Sequence, residues 1–94
     1  YGGTWRLLTA FARTGRCRVL FVDQRDPAAL AAALAQRPKL VWAESPSNPL
    51  LRLVDLPALA AASHAAGALF VVDNTFLSPA LQNPLQLGAD LVVH

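Results

Sequence analysis

Three polar residues that can do chemistry follow directly on a strongly apolar run of this chain. Asp73, Asn74 and Thr75 come after residues 68–72, which are all apolar. Such a run is typical of a strand buried on both faces of a parallel sheet, and ligands bind beyond the carboxyl ends of such strands. We therefore expect Asp73 to lie half inside the protein and to face a cleft. A carboxylate in that position needs a positively charged or proton-bearing partner.

A second polar segment, residues 44–49, follows another short apolar run at residues 40–43. Its two prolines stiffen it, because each proline fixes its own φ and restricts the residue before it. Asn48 taken alone is an ordinary turn residue. Because functional groups gather at the carboxyl edge of a parallel sheet, Asn48 beside Asp73 instead predicts a binding site there.

A carboxylate and an amide placed together suit a protonated heteroaromatic ring. Asp73 would hold the proton of a ring nitrogen, Asn48 would meet a ring oxygen, and an aromatic side chain would stack on the ring face. This describes a pocket for pyridoxal phosphate, whose electron sink is strengthened by a carboxylate beside the pyridinium nitrogen. A dinucleotide fits poorly, because no strand is followed by a glycine-rich phosphate loop. A metal also fits poorly, because neither His64 nor His94 has a ligand partner at helical spacing.

Alternating helices and strands are predicted to position these groups. Predicted helices cover residues 2–14, 27–37, 56–66 and 84–87, and predicted strands cover residues 18–23, 39–43, 68–73 and 90–93. The third helix should begin after Asp55 and present Leu56, Leu59, Ala60 and Ser63 on one face. Strands that alternate with helices imply right-handed crossovers and a parallel sheet, so we predict one piece of one α/β domain.

Composition excludes several classes of protein. The formal net charge is +2 with scattered cations, which does not indicate a nucleic-acid partner. No apolar run reaches the ~20 residues of a membrane-spanning helix, so no membrane partner is expected. Cys17 is the only cysteine. It is expected to pack as a small hydrophobe in a reducing, cytoplasmic protein, since a single thiol builds neither a disulfide framework nor a thiolate metal site.

The chain reads as a fragment. It begins at Tyr1 without methionine and stops at His94, directly after the last apolar run. Its residues are 54% hydrophobic and only 15% charged, which is rich in apolar side chains for so small a surface. Some of that apolar surface is expected to meet neighbours outside these 94 residues.

Four blocks of the sequence resemble consecutive blocks of the Cys/Met-metabolism, or transsulfuration, family of pyridoxal phosphate enzymes. The blocks are residues 1–4, 44–49, 71–76 and 87–94, and their order and spacing match the family over essentially the whole chain. The resemblance implies an α/β three-layer sandwich with a mostly parallel sheet. It also implies that residues 1–94 are a part, incomplete at both ends, of the large cofactor-binding domain of a fold type I enzyme.

The resemblance implies a role for each matching residue. Tyr1 matches the tyrosine that stacks on the cofactor ring and assists proton transfer, and Asp73 matches the partner of the pyridinium nitrogen. Thr75 matches a residue under the opposite ring face, and Asn48 a residue near the phenolic oxygen. Arg6 matches an arginine that helps to hold the distal carboxylate of the substrate. The catalytic sites predicted are thus Tyr1 and Asp73, and no metal site is predicted.

The implied reaction is γ-replacement of an O-acylhomoserine by cysteine to give cystathionine, a step of methionine biosynthesis. Gamma-lyase, beta-lyase and O-acylhomoserine sulfhydrylase chemistry remain as alternatives within the family. The family's Schiff-base lysine would follow His94, and Lys39 opens its strand at the end opposite Asp73. The segment alone is therefore predicted to be inactive. A homotetramer built from close dimers is implied for the whole enzyme.

A remote alternative from another class is a receiver-type signalling domain with Asp73 as its phospho-acceptor. Such a domain needs an acidic pair after its first strand and a lysine after its last. Asp23 stands alone after the first predicted strand and no late lysine is present, so the sequence argues against this alternative.

Overall fold

The structure is a computed structural model and describes residues 1–94. Its helices are α1 (Gly2–Arg13), α2 (Pro27–Ala35), α3 (Leu56–Ala65) and α4 (Ser78–Leu81), with a 3₁₀ helix at Pro84–Leu87. Its strands are β1 (Leu40–Glu44), β2 (Leu69–Asp73) and β3 (Leu91–Val93). They form one parallel sheet in the order β1-β2-β3, which confirms the predicted parallel α/β architecture.

Aspartates begin the two helices for which the sequence predicts them. Asp26 Oδ1 accepts hydrogen bonds from the amides of Ala28 and Ala29 at 3.0 and 3.2 Å. Asp55 Oδ1 accepts one from the amide of Ala58 at 3.0 Å. Each cap satisfies amides that have no partner within the helix, so α2 and α3 start where predicted.

The core lies between α3 and the sheet. The buried residues of α3 are Leu56, Leu59, Ala60 and Ser63, the same four that the helical period predicts. Phe70 and Val72 of β2 are completely buried against this face, and Val71 is buried on the other face of the sheet. Burying a side chain of this kind stabilises a fold by about 1.5–3 kcal/mol. The central strand is thus held on both faces, as its apolar sequence indicates.

Asp90 joins three elements at the amino end of the sheet. Its Oδ2 accepts a 2.7 Å hydrogen bond from the amide of Phe70 and lies 2.8 Å from Nε2 of His64 at the end of α3. The Phe70 amide, and then the His64 ring, hold the pKa of Asp90 below its ordinary value. The negative charge of Asp90 therefore stabilises the start of β2 and of β3.

Three local predictions are wrong. Residues 18–23 form no strand, because no strand of the structure pairs with them, and Leu20 and Phe21 are exposed. Cys17 is exposed rather than packed. Helix α4 lies in a segment predicted as a loop.

No helix has the length and apolar character that crossing a membrane requires.

Candidate functional site

The candidate site lies at the carboxyl edge of the sheet. Glu44, the last residue of β1, is the register partner of Asp73, the last residue of β2. Val93, the last residue of β3, is the other partner of Asp73. The three strands therefore end at one level, and the loops that follow them start side by side. This is the arrangement in which α/β proteins bind ligands.

Asp73 is half-buried and is oriented by the residue two positions further on. Its Oδ1 accepts a 2.6 Å hydrogen bond from the Thr75 hydroxyl and a 3.1 Å bond from the Thr75 amide. Both bonds reach the same oxygen, and no protein donor reaches Oδ2. The carboxylate is thus held in place while one of its oxygens stays free to accept a further proton-bearing group.

Glu44 contacts the backbone of one predicted site residue. Its Oε1 accepts a 3.1 Å hydrogen bond from the amide of Asn48. The carboxylate at the end of β1 therefore holds the loop that follows β1. Sequence reasoning assigns Glu44 no chemical step.

The loop that carries Asn48 is closed by hydrogen bonds of its own. The amide of Ser47 donates to the carbonyl of Arg52 at 2.9 Å, and the Arg52 amide donates to the Ser47 hydroxyl at 3.1 Å. Ser45 is buried, and its hydroxyl accepts a 3.3 Å bond from the amide of Val54. Asn48 itself is exposed at the tip, where its side chain makes no hydrogen bond to the protein. The side-chain amide of Asn48 is therefore available to a ligand.

The Tyr1 ring packs over the first turn of α1. A Cβ atom on Gly3 would lie 2.3 Å from Tyr1 Cε1 and 2.7 Å from Cζ, so only glycine leaves room for this ring position. The Tyr1 side chain is otherwise exposed, with 62% of the residue's surface accessible. The ring is thus supported from below by the helix and presents its outer face to solvent or to a ligand.

The side chains of Arg6 and Lys39 form no hydrogen bond or ion pair with Asp73 or Thr75. Arg6 lies on α1, one turn beyond Gly2, and forms no hydrogen bond or ion pair. Lys39 precedes β1 at the end opposite Glu44, and a five-residue strand spans roughly 16 Å. The role of Arg6 stays a prediction, and Lys39 is too far away to meet a ring held by Asp73.

Sequence reasoning misses one part of this edge. The side-chain amide of Gln82, which follows α4, donates to the carbonyl of Ser45 and to Oδ1 of Asn74, at 3.0 and 2.9 Å. Ser45 precedes the Asn48 loop and Asn74 follows Asp73. Gln82 therefore joins the two loops. The available signal is weak: Gln82 is a polar residue in a mostly apolar segment.

Comparison with known proteins identifies the family of this chain. The family model described as Cys/Met metabolism PLP-dependent enzyme matches residues 1–94, the entire chain. The chain belongs to the Cys/Met metabolism family of pyridoxal phosphate-dependent enzymes. The resemblance of the four sequence blocks is thereby confirmed, and the family's cofactor is pyridoxal phosphate. Membership in this family also argues against a receiver-type domain.

Relatives within the Cys/Met metabolism family include enzymes with different reactions. The chain is 64% identical to cystathionine gamma-synthase of Escherichia coli (strain K12), over all of this chain and 24% of that protein. It is 48% identical to cystathionine gamma-lyase of Dictyostelium discoideum, again over all of this chain and 24% of that protein. The chain thus spans about a quarter of the length of these curated relatives.

The fold agrees with solved structures of a synthase in the family. Cystathionine gamma synthase from Xanthomonas oryzae pv. oryzae has been solved in complex with aminoacrylate and cysteine, and in complex with cystathionine. The first of these matches with a TM-score of 0.96 and 59% identity, over 98% of this chain and 24% of that one. The α/β fold predicted from the sequence is confirmed at this level of likeness.

The residues at the sheet edge fit pyridoxal phosphate by their chemistry. Oδ2 of Asp73 accepts no bond from the protein and can accept a hydrogen bond from a protonated pyridinium nitrogen. The free amide of Asn48 can donate to a ring oxygen, and the exposed Tyr1 ring can stack on the cofactor's π face.

Proposed function

We propose that the whole protein is a cystathionine γ-synthase that replaces the acyloxy group of an O-acylhomoserine with the sulfur of cysteine. The observation that carries this proposal is the carboxylate of Asp73, held by Thr75 at the mouth of a parallel sheet with one oxygen free. Family membership supplies the cofactor for that oxygen. The 64% identity to one gamma-synthase exceeds the 48% identity to a gamma-lyase and supports the synthase reaction. Other gamma-synthases are 45% identical, so this support comes from likeness to that particular enzyme and not to synthases as a class.

Each predicted site residue has a part in this proposal. Asp73 Oδ2 would accept a hydrogen bond from the protonated ring nitrogen, and Thr75 holds the other oxygen of the same carboxylate. The Asn48 amide binds the phenolic oxygen. Tyr1 stacks on the ring, and its hydroxyl assists proton transfer at the substrate. Arg6 helps to hold the distal carboxylate of the substrate.

When bound, pyridoxal phosphate supplies an electron sink for the negative charge that forms on the substrate carbon skeleton. The residues of this chain would keep the cofactor ring protonated at its nitrogen and would hold the ring in one orientation. A carboxylate at the ring nitrogen keeps that nitrogen protonated, because an ionised partner within hydrogen-bonding distance favours the charged form. The rigid sheet edge fixes that carboxylate before substrate arrives, so little reorganisation is needed during the reaction.

Wider properties of the whole protein follow from the same proposal. Residues 1–94 are part of its large cofactor-binding domain, and the lysine that binds the cofactor is supplied by another segment. The whole enzyme is a cytoplasmic homotetramer of dimers, with small amino acids as its substrates. Support comes from the family match and from the exposed thiol of Cys17, which suits a reducing compartment. The residues described here contain no complete catalytic apparatus and are inactive alone.

An activity assay of the full-length protein tests the proposed reaction. Purified holoenzyme should convert O-succinylhomoserine or O-acetylhomoserine and cysteine to cystathionine, detected by mass spectrometry. Parallel reactions with cystathionine alone, or with sulfide in place of cysteine, measure lyase and sulfhydrylase chemistry on the same preparation. A holoenzyme that cleaves cystathionine, or takes only sulfide, and makes no cystathionine overturns the synthase assignment and leaves the family intact.

A matched pair of variants tests the residue that carries the proposal. Asp73→Asn keeps the shape of the side chain but removes its charge, and should lower kcat/KM by about a hundredfold or more, since charged hydrogen bonds contribute up to ~3 kcal/mol. Asp90→Asn makes the same chemical change at the other end of the sheet and should leave kcat/KM close to the wild-type value. Near-normal activity of Asp73→Asn contradicts the pyridinium role.

A further inference from the structure

Gln82 bridges the two loops that carry the proposed cofactor contacts. Its Nε2 donates to the Ser45 carbonyl in the loop after β1 and to Oδ1 of Asn74 in the loop after β2. The bridge is closed in the other direction, because Nδ2 of Asn74 donates to the backbone carbonyl of Gln82 at 2.9 Å. Two amide side chains thus form three hydrogen bonds at one point of the sheet edge.

Both residues that accept hydrogen bonds from the Gln82 side chain are buried. Asn74 has no accessible surface and Ser45 has 2%. Water cannot replace a lost partner easily at such a position, and a buried polar atom without a partner costs about 1–3 kcal/mol. The two contacts of Asn74 also fix which end of its amide points where, because a flipped amide would place one NH₂ group against another. The arrangement therefore has one satisfied state.

Local structure delivers Gln82 to this point. The amide of Ser78 donates to the carbonyl of Asn74 at 2.9 Å, and that of Gln82 to the carbonyl of Ser78 at 3.2 Å. Residues 74–82 therefore turn back on themselves through α4. The loop returns to its own starting residue, and Gln82 reaches from there to the neighbouring loop.

We propose that Gln82 and Asn74 are positioning residues that set the distance between the Asp73 carboxylate and the Asn48 loop. Asn74 lies between Asp73 and Thr75 in sequence, so a shift of its side chain moves the carboxylate and its hydroxyl partner together. Ser45 begins the segment that leads to Asn48. Locking Ser45 to Asn74 fixes the spacing between the two ends of the cofactor ring. This inference rests on the proposed function, since it concerns the same cofactor.

Three variants of the full-length protein test whether the two hydrogen bonds donated by the Gln82 side chain are required. Gln82→Glu keeps the shape but places a carboxylate oxygen against two acceptors, the Ser45 carbonyl and Asn74 Oδ1. Gln82→Met keeps the length and removes both donors without adding charge. Gln86→Glu is the matched control: Gln86 is exposed on the neighbouring 3₁₀ helix, and its side chain makes no hydrogen bond to the protein.

Three measurements separate positioning from simple stabilisation. We expect Gln82→Glu and Gln82→Met to raise the dissociation constant of pyridoxal phosphate for the apoenzyme by about tenfold, as loss of buried hydrogen bonds predicts. They should also shift the pH at which the absorption band of the bound cofactor changes. Gln86→Glu should match the wild type in both. Thermal unfolding of each variant measures any general loss of stability.

Two outcomes overturn the inference. The first is a lower unfolding temperature for both Gln82 variants with an unchanged cofactor dissociation constant and an unchanged absorption–pH curve, which shows a purely structural role. The second is a Gln86→Glu variant whose cofactor dissociation constant and absorption–pH curve change as much as those of Gln82→Glu. If Gln82→Glu yields no folded enzyme, Gln82→Met decides. Failure of the wild type itself to bind pyridoxal phosphate contradicts the proposed function rather than the bridge.

Discussion

The hydroxyl of Thr75 lies 2.6 Å from Oδ1 of Asp73, and the Thr75 amide reaches the same oxygen at 3.1 Å. A single residue therefore occupies one side of the carboxylate with two donors. The second oxygen is left without a protein donor. This asymmetry turns a strand-end aspartate into an oriented acceptor.

Removing the Thr75 hydroxyl should weaken cofactor binding in the full-length enzyme. Thr75→Val keeps the branched shape and the backbone amide but loses the shorter of the two bonds. We expect the dissociation constant of pyridoxal phosphate to rise by about tenfold, because hydrogen bonds to charged groups contribute ~1.5–3 kcal/mol and this one is partly exposed. Equilibrium titration of the apoenzyme measures the change. Thr75→Ser retains a hydroxyl and should stay near the wild type; equal losses in both variants would assign the effect to packing of the methyl group.

The space above Gly3 should be necessary for the position of the Tyr1 ring. Gly3→Ala places a methyl group within 2.3 Å of the ring and must displace it. Because an aromatic pair contributes about 0.5–1.5 kcal/mol, we expect cofactor binding to weaken by about two- to tenfold. Fluorescence or absorption titration with pyridoxal phosphate reads this out.

Gly2→Ala is the control for that change. A Cβ atom on Gly2 would meet only the flexible end of Arg6 at 3.3 Å. Both glycines lie in the first turn of α1, so both substitutions change helix propensity alike. Equal cofactor affinities for the two variants would show that the Tyr1 ring does not depend on the space above Gly3.

Gly88 should tolerate alanine less well than Gly67 does. Both have positive φ, +102° and +78°, so alanine is strained at each by about 1–2 kcal/mol. Only at Gly88 does the new Cβ meet a buried neighbour, Ala60 Cβ at 2.8 Å. Overpacking of this kind adds about 1–3 kcal/mol. Chemical denaturation of the two full-length variants should place Gly88→Ala below Gly67→Ala in unfolding free energy, and the reverse order would contradict the close packing of α3 on the 3₁₀ helix.

Asp90 should make stability depend on pH in the acid range. Its folded pKa is lowered, first by the Phe70 amide and then by His64, so its contribution is present above the unfolded pKa of about 3.9. The contribution is lost as the pH falls through the folded pKa. Denaturation midpoints between pH 2 and pH 6 should therefore fall less steeply in Asp90→Asn than in the wild type. His64→Gln should flatten the curve less than Asp90→Asn, because His64 is the smaller cause; identical curves for all three proteins would rule out this contribution.

Local signals were enough to predict α3 and its buried face. The Asp55 cap, the spacing of its apolar residues and Gly67 after its end all lie within 13 residues of sequence, and each acts through the helix's own backbone. The end of β2 at Asp73 is predicted for a similar reason. A carboxylate is costly inside a strand that is buried on both faces. The change from apolar residues to Asp73 therefore marks the edge of the sheet in the sequence itself.

Long-range pairing explains what the sequence could not predict. Residues 18–23 have strand-like composition, but a strand exists only where another strand supplies hydrogen bonds, and none does here. The role of Gln82 cannot be predicted from the sequence, because one of its partners, Ser45, lies 37 residues away and offers a backbone carbonyl, which carries no sequence signal. Asn74 looked like one member of a polar triplet, and only its complete burial reveals that it faces inward.

The central place of β2 has a consequence for motion. Asp73 ends the one strand that has a neighbour on each side, and the next amide, that of Asn74, still donates to Val93 at 2.8 Å. Amides in such a strand exchange with deuterium only when large parts of the fold open, whereas chain ends and outer loops open often. Deuterium uptake should therefore be slowest around residues 70–74. We therefore expect the Asp73 carboxylate, the proposed acceptor for the cofactor nitrogen, to be attached to the part of the backbone that fluctuates least.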